Sequence, residues 1–211
     1  MTGKLISFEG PEGGGKTTQI QRLAQRLHAE RGFTVRTTRE PGGTPTGEAI
    51  RELLQHHAVG EPLCDTSEVL LFCASRAQLC GAVLAPALAR GEWVLCDRFT
   101  DSTLAYQGYG RGFDLDLLRQ LNAFAVGCVA PALTILLDLP ADIGLERVRS
   151  RSSHARDRIE NETLDFHQRL RDGYLALAAG EPGRFAVIDA TRPIDAVSES
   201  IWRAAEQVLR D

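Results

Sequence analysis

Lysine is nearly missing from this chain: Lys4 and Lys16 are the two lysines among 24 basic residues, and arginine supplies the rest. A codon bias toward arginine accounts for the imbalance, and it leaves Lys16 conspicuous. Cysteine is sparse and unpatterned. Cys64, Cys73, Cys80, Cys96 and Cys128 are odd in number and contain no CxxC pair, so neither a disulfide framework nor a zinc site is expected. The five histidines show no ligand spacing. Positive charge is not in excess either. At a formal net charge of −4, the composition argues against a nucleic-acid polymer as partner and leaves small anions open.

Long apolar runs are absent as well. None approaches the roughly 20 residues that span a bilayer, and the run Leu5–Phe8 is ended by Glu9 before it reaches the length of a signal-peptide core. The expectation is a cytoplasmic protein without a membrane partner. No internal repeat, low-complexity linker or composition break divides the 211 residues, of which 43% are apolar. One α/β domain over residues 1–211 is expected.

What is present is an alternation of short β-rich runs with longer helical patterns, the signature of βαβ units that feed a parallel sheet. The runs are Leu5 to Glu9, Thr34 to Thr38, Trp93 to Asp97, Leu133 to Leu139 and Phe185 to Asp189. Ile20, Leu23, Ala24 and Leu27 place a helix from near Lys16 to just before Gly32. The interval from Pro45 to Arg90 has room for two or three helices, and a last helix follows Pro193. The arginine-rich stretch Arg147 to Arg158 lacks apolar periodicity and reads as a mobile loop.

Gly10-Pro11-Glu12-Gly13-Gly14-Gly15-Lys16-Thr17 fits GxxxxGK[ST] and lies between a predicted strand and a predicted helix. Chance gives such a match roughly 0.002 times in a chain of this composition, so the pattern is read as a phosphate loop. Glycines let backbone N–H groups surround phosphate oxygens, Lys16 reaches the terminal phosphates, Thr17 offers a hydroxyl to Mg²⁺, and the helix N-terminus favours an anion. A GTPase would show NKxD and DxxG, and neither occurs. Thr38-Arg39-Glu40-Pro41-Gly42-Gly43-Thr44 puts Arg39 at the C-terminal end of the second strand, where a second phosphate can bind. The third strand ends in Asp97, a candidate Mg²⁺ ligand beside Arg98, with Asp138 as its rival; either acid can instead serve as a helix cap.

Taken together, EGPEGGGKTT, TREPGGT, LLFCASRAQ, DRFTDSTLAYQGYGRG and DRIE, in this order and spacing, resemble thymidylate kinases of the bacterial type over nearly the whole chain. The resemblance implies a three-layer P-loop NTPase fold, with a five-stranded parallel sheet flanked by helices and an arginine-rich lid near residues 149–160. It implies transfer of the γ-phosphoryl of ATP to dTMP with Mg²⁺ as cofactor, and a homodimer packed through helices between Ser67 and Leu88.

Residue by residue, the resemblance implies that the ATP site runs from Gly10 to Thr18, through Pro11, Glu12, Gly13, Gly14, Gly15, Lys16 and Thr17, with Arg192 packing on adenine. Phe72 matches the aromatic that stacks on thymine and Arg76 the arginine at its carbonyl edge. Thr103 and Gln107 match the readers of the remaining edge, and Tyr106 the ring against the sugar. Arg39 and Arg98 would hold the dTMP phosphate and Glu12 the sugar side. The phosphate loop carries no arginine between Pro11 and Gly15, so a lid arginine is implied as the catalytic cation. Arg151 is preferred over Arg149, Arg156 and Arg158. The alternatives are a kinase for another nucleotide or for a nucleoside, and a nucleotide-binding regulatory module without transferase activity.

Overall fold

The computed structural model describes residues 3–56, 61–151 and 162–209. The chain runs β1 (Leu5–Glu9), α1 (Lys16–Arg31), β2 (Val35–Arg39), α2 (Pro45–His56), α3 (Asp65–Leu79) and α4 (Ala85–Ala89). It continues with β3 (Trp93–Asp97), α5 (Thr100–Thr103), α6 (Leu115–Val126), β4 (Leu133–Asp138), α7 (Ala141–Arg151), α8 (Leu164–Gly180), β5 (Phe185–Asp189) and α9 (Ile194–Leu209). The strands expected at Thr34–Thr38 and Leu133–Leu139 thus run Val35–Arg39 and Leu133–Asp138.

All five strands are parallel, in the order β2-β3-β1-β4-β5. Alternation along β1 sends Ile6 and Phe8 to one face and Leu5 to the other, and each joins a different apolar cluster. A strand buried on both faces needs a helical layer over each. On one side Ile20, Leu23 and Leu27 of α1 pack with Val197, Ile201 and Trp202 of α9 against Ile6, Phe8 and Ile135. On the other side Leu79, Leu84 and Phe99 cover Leu5 and Val94, while Leu118, Phe166, Leu170 and Tyr174 cover Leu136. Because β1 pairs with β3 on one flank and β4 on the other, the chain order reverses at β1, and the loop that leaves it opens into the crevice where such sheets bind ligands.

One expectation needs correction and two features go beyond the sequence pattern. The helices α3 and α4 are joined by a π-helical stretch, Cys80–Leu84, into one helix over Asp65–Ala89, and this helix holds an 18-residue window of mean hydropathy 1.5. Continuity merges apolar blocks that look separate in the sequence, so one segment is long and apolar enough to cross a membrane by length and composition. Its middle, however, carries the buried, ion-paired Arg76, and Val69, Leu79 and Leu84 face the core. Secondly, the loop expected from Arg147 is helical as far as Arg151; residues 152–158 lie outside the described residues. Thirdly, the stretch that carries Tyr106 and Gln107 is wider than α-helical: after α5 the backbone continues as a π-helix over Leu104–Gly110. At Gly110 a Cβ would meet the Phe166 ring at 2.6 Å, so α8 comes as close as a glycine allows.

Candidate active site

The phosphate loop owes its shape to Gly10, Gly13 and Gly15, all at positive φ (130°, 75° and 83°). At Gly10 a side chain would also collide with the Leu137 carbonyl, so β4 supports the loop from beneath. Lys16, the first residue of α1, lays its Nζ across the loop, donating to the carbonyls of Gly10 at 3.0 Å and Pro11 at 2.9 Å. Burial and the nearby Arg98 push its pKa below the ordinary amine value despite Glu12 and Asp97. Arg147 of α7 pins the outer side, donating to Gly13 O at 3.4 Å and Ala190 O at 2.9 Å, a contact with no local sequence signal.

Thr17 Oγ1 donates to Asp97 Oδ2 at 3.0 Å, so two hard oxygen donors meet beside the loop. Among the described residues no group of three or more His, Cys, Asp or Glu forms a cage for a metal. A hydroxyl and one carboxylate next to a phosphate cradle are nevertheless what Mg²⁺ uses, since it keeps several waters and takes other ligands from the phosphates. The rival acid Asp138 is held by both arms of Arg171, at 2.8 and 2.9 Å.

Arg98 follows Asp97 directly and is the one non-glycine residue at positive φ among the described residues, at 70°. Such backbone strain persists only where the surroundings hold it. Here Arg98 N–H donates to Phe8 O at 2.9 Å, and Phe99 N–H to Glu9 Oε1 at 2.7 Å. The Arg98 guanidinium donates to Glu12 Oε1 at 2.7 Å and to the Tyr174 hydroxyl at 3.2 Å, and lies 4.9 Å over the Tyr106 ring. Tyr106 Oη donates to the same Glu12 oxygen at 2.8 Å. Burial alone would raise the pKa of Glu12, but Arg98 and Lys16 outweigh it and bring it down to about 2.

Beneath Arg98 lies Glu9, fully buried at the end of β1. Ser102 Oγ and Tyr174 Oη donate to its Oε2 at 2.6 and 2.9 Å. Desolvation, with the charge of Asp101, pushes its carboxyl up to about 7 against these hydrogen bonds. In the sequence Glu9 looks like no more than the end of an apolar strand.

The remaining predicted residues gather in one cleft of about 730 Å³, lined by Glu12 to Thr18, Arg39, Phe72, Arg76, Asp97, Arg98, Thr103, Tyr106 and Gln107. Its volume suits a small-molecule ligand. Arg39 is exposed at the rim and donates to Glu48 Oε2 at 2.8 Å. Arg76 is more committed than expected: its guanidinium donates to Glu40 at 2.7 Å, Thr103 at 2.9 Å, Asn122 at 2.6 Å and the Phe99 carbonyl at 3.2 Å. Four of its five N–H groups are thereby used, and one on Nη2 remains. Gly10 and Pro11 form the back of the loop and do not line the cleft. Arg192 is also outside the lining, its Nη1 3.4 Å from Ser200 Oγ, and Arg149 is exposed on α7. The side chains of Arg151, Arg156 and Arg158 lie outside the described residues.

Comparison with known proteins agrees with this geometry. The model of the family described as "Thymidylate kinase" matches residues 8–201. A thymidylate kinase of Deinococcus radiodurans is 54% identical over 206 residues, with 97% of each chain covered, and one of Geobacter sulfurreducens is 51% identical over 203 residues, with 94% of each covered. The crystal structure of thymidylate kinase from Ehrlichia chaffeensis superposes with a TM-score of 0.77 at 35% identity, covering 96% of this chain and 98% of that one. The phosphate loop, the arginine cluster around it and the match along nearly the full length place this chain in the thymidylate kinase family.

Proposed function

We propose that this chain transfers the γ-phosphoryl group of ATP to dTMP, giving dTDP and ADP, as a single P-loop kinase domain with a lid near residues 149–160. The observation that carries the reading is that two anion-binding sets share one cleft: the phosphate loop with Lys16, and the arginines Arg98, which also reaches the Gly10 carbonyl of that loop, and Arg39 at the end of the neighbouring strand. A donor and an acceptor phosphate held there meet within one cleft.

In the reaction a dTMP phosphate oxygen bonds to the γ-phosphorus while the bond to the β–γ bridging oxygen breaks. No strong base is required, since a nucleotide monophosphate has its second pKa near ~6 and is largely dianionic at neutral pH. The protein therefore aligns the partners and offsets charge on the moving group. Lys16 and the loop N–H groups hold the ATP phosphates, and Arg98 and Arg39 hold dTMP in line. Arg151 is assigned the lid cation that the phosphate loop does not supply. Thr17 and Asp97 would hold Mg²⁺, which would supply charge neutralisation for the transferred group.

On the acceptor side, Phe72 stacks on the base, Arg76 donates to its carbonyl edge, Thr103 and Gln107 read the rest, and Tyr106, fixed by Glu12, stands against the sugar. The thymine methyl adds one carbon, worth ~1 kcal/mol or somewhat more, so dUMP is a poor but measurable acceptor. A homodimer in the cytoplasm completes the reading, packed through the helix over Asp65–Ala89, where Leu70 is 52% exposed. The test is ADP release from ATP and Mg²⁺ with dTMP, dUMP, dCMP, UMP, AMP and GMP, beside a control without acceptor. Release strongest with dTMP supports the assignment, preference for another monophosphate discards the base pocket, and release independent of acceptor discards the kinase.

A further inference from the structure

Gln107 is 98% buried yet lines the cleft, and only one end of its amide is engaged. Its Nε2 donates to Glu68 Oε1 at 2.9 Å, and Oε1 makes no hydrogen bond within the described residues. Glu68 lies on α3, one helical turn before Phe72, and has no exposed surface. Arg111 compensates the burial of that carboxylate, with Nε 2.9 Å from Oε1 and Nη2 3.3 Å from Oε2. A carboxylate paired in this way offers acceptors alone, so only the NH₂ end of Gln107 can face it. The reversed amide would set two oxygens against each other.

Building on the acceptor assigned above, we propose that Glu68 is a specificity-determining positioning residue: by fixing the direction of the Gln107 amide it presents an acceptor to the base. Arg76, which lines the same cleft, has one N–H left. A donor next to an acceptor matches the carbonyl and ring N–H of a pyrimidine with two oxo groups. A 4-aminopyrimidine presents the opposite pattern, an amino donor beside a bare ring nitrogen, and meets donor against donor and acceptor against acceptor. Recognition by polar groups left unpaired in the wrong complex discriminates more strongly than apolar fit. Glu68 touches no substrate; it acts through Gln107.

The test is Glu68→Met, which keeps the length of the side chain, removes both acceptors and so frees Gln107 to turn over. The readout is the ratio of kcat/KM for dTMP to that for dCMP, with thermal melting as a check on folding. The expected result is a fall in that ratio of about tenfold or more, carried mainly by a higher KM for dTMP, with no further fall when Glu68→Met is added to Gln107→Met. Equal losses on both nucleotides, or an unchanged ratio, would overturn the proposal by reducing Glu68 to a structural role. Gln107→Met alone keeps the shape and removes the acceptor, so an unchanged ratio in that variant overturns the proposal even if Glu68→Met folds poorly. A wild-type protein that does not prefer dTMP refutes the kinase reading itself, whereas a wild type that prefers it and an E68M variant that still rejects dCMP refute only the role of Glu68.

Discussion

Arg98 and Tyr106 converge on one oxygen of Glu12, at 2.7 and 2.8 Å. The carboxylate that fixes the arginine also fixes the aromatic ring beneath it, so under the proposed function an incoming phosphate would meet a cation already aimed by its neighbours. Preorganisation of this kind lowers a barrier because little reorientation is left for the moment of transfer.

Arg98→Ala is therefore expected to lower kcat by about 10²-fold or more, in the range seen on removing one charge-stabilising donor. Arg98→Lys restores the charge without the planar fork and should recover only part of the loss. Steady-state kinetics with dTMP varied at saturating ATP measures both; wild-type turnover in Arg98→Ala removes Arg98 from the mechanism, and wild-type turnover in Arg98→Lys removes the need for the fork.

Asp97→Asn tests the metal pair. It keeps the shape but weakens the hard anionic donor beside Thr17, so the Mg²⁺ concentration for half-maximal rate should rise by about 10- to 100-fold. Asp138→Asn breaks the pair with Arg171 and should cost stability while leaving the Mg²⁺ requirement near that of wild type.

Glu9 predicts a pH dependence of stability. Its carboxyl titrates at about 7 in the folded chain, against 4.5 for the ordinary group, so between those values the native state binds more protons than the unfolded one. Its contribution is fully present below about pH 4.5 and is lost as pH rises through 7, a swing on the order of 3 kcal/mol. Glu12 runs the other way, stabilising above pH 4.5 and losing that effect as pH falls toward 2. Glu9→Gln should flatten the melting-temperature profile between pH 5 and 8 relative to wild type. Parallel profiles for the two proteins would show that Glu9 does not titrate there.

Phe72 is half-buried on the cleft wall, so Phe72→Ala should leave the melting temperature nearly unchanged. The KM for dTMP should rise by about 10- to 100-fold, the scale of one stacked base. An unchanged KM would move the base elsewhere in the cleft.

The five strands, the phosphate loop and the meeting of Thr17 with Asp97 are legible in the sequence because each depends on local pattern and on the ends of parallel strands. The supporting groups are not. Tyr174 reaches Glu9 across 165 positions and Asn122 reaches Arg76 across 46, and no periodicity encodes such pairings. Glu40, Glu68 and Glu9 read as ordinary acids at strand or helix ends until burial shows them holding the residues that face the cleft. The π-helical stretch is hidden for a related reason: its sequence is helix-forming, and only the packing of Gly108 and Gly110 against α6 and α8 shows the wider turn.

The left-handed backbone at Arg98 sets two selections against each other. Glycine fits such a backbone with no Cβ penalty, and asparagine tolerates it, whereas arginine costs roughly 1 kcal/mol or more there. A library randomised at position 98 and sorted for thermal resistance would drift toward those small residues and lose turnover, while the same library sorted for growth that depends on product made by the enzyme would return to arginine. The strain thus marks where this fold trades durability for chemistry.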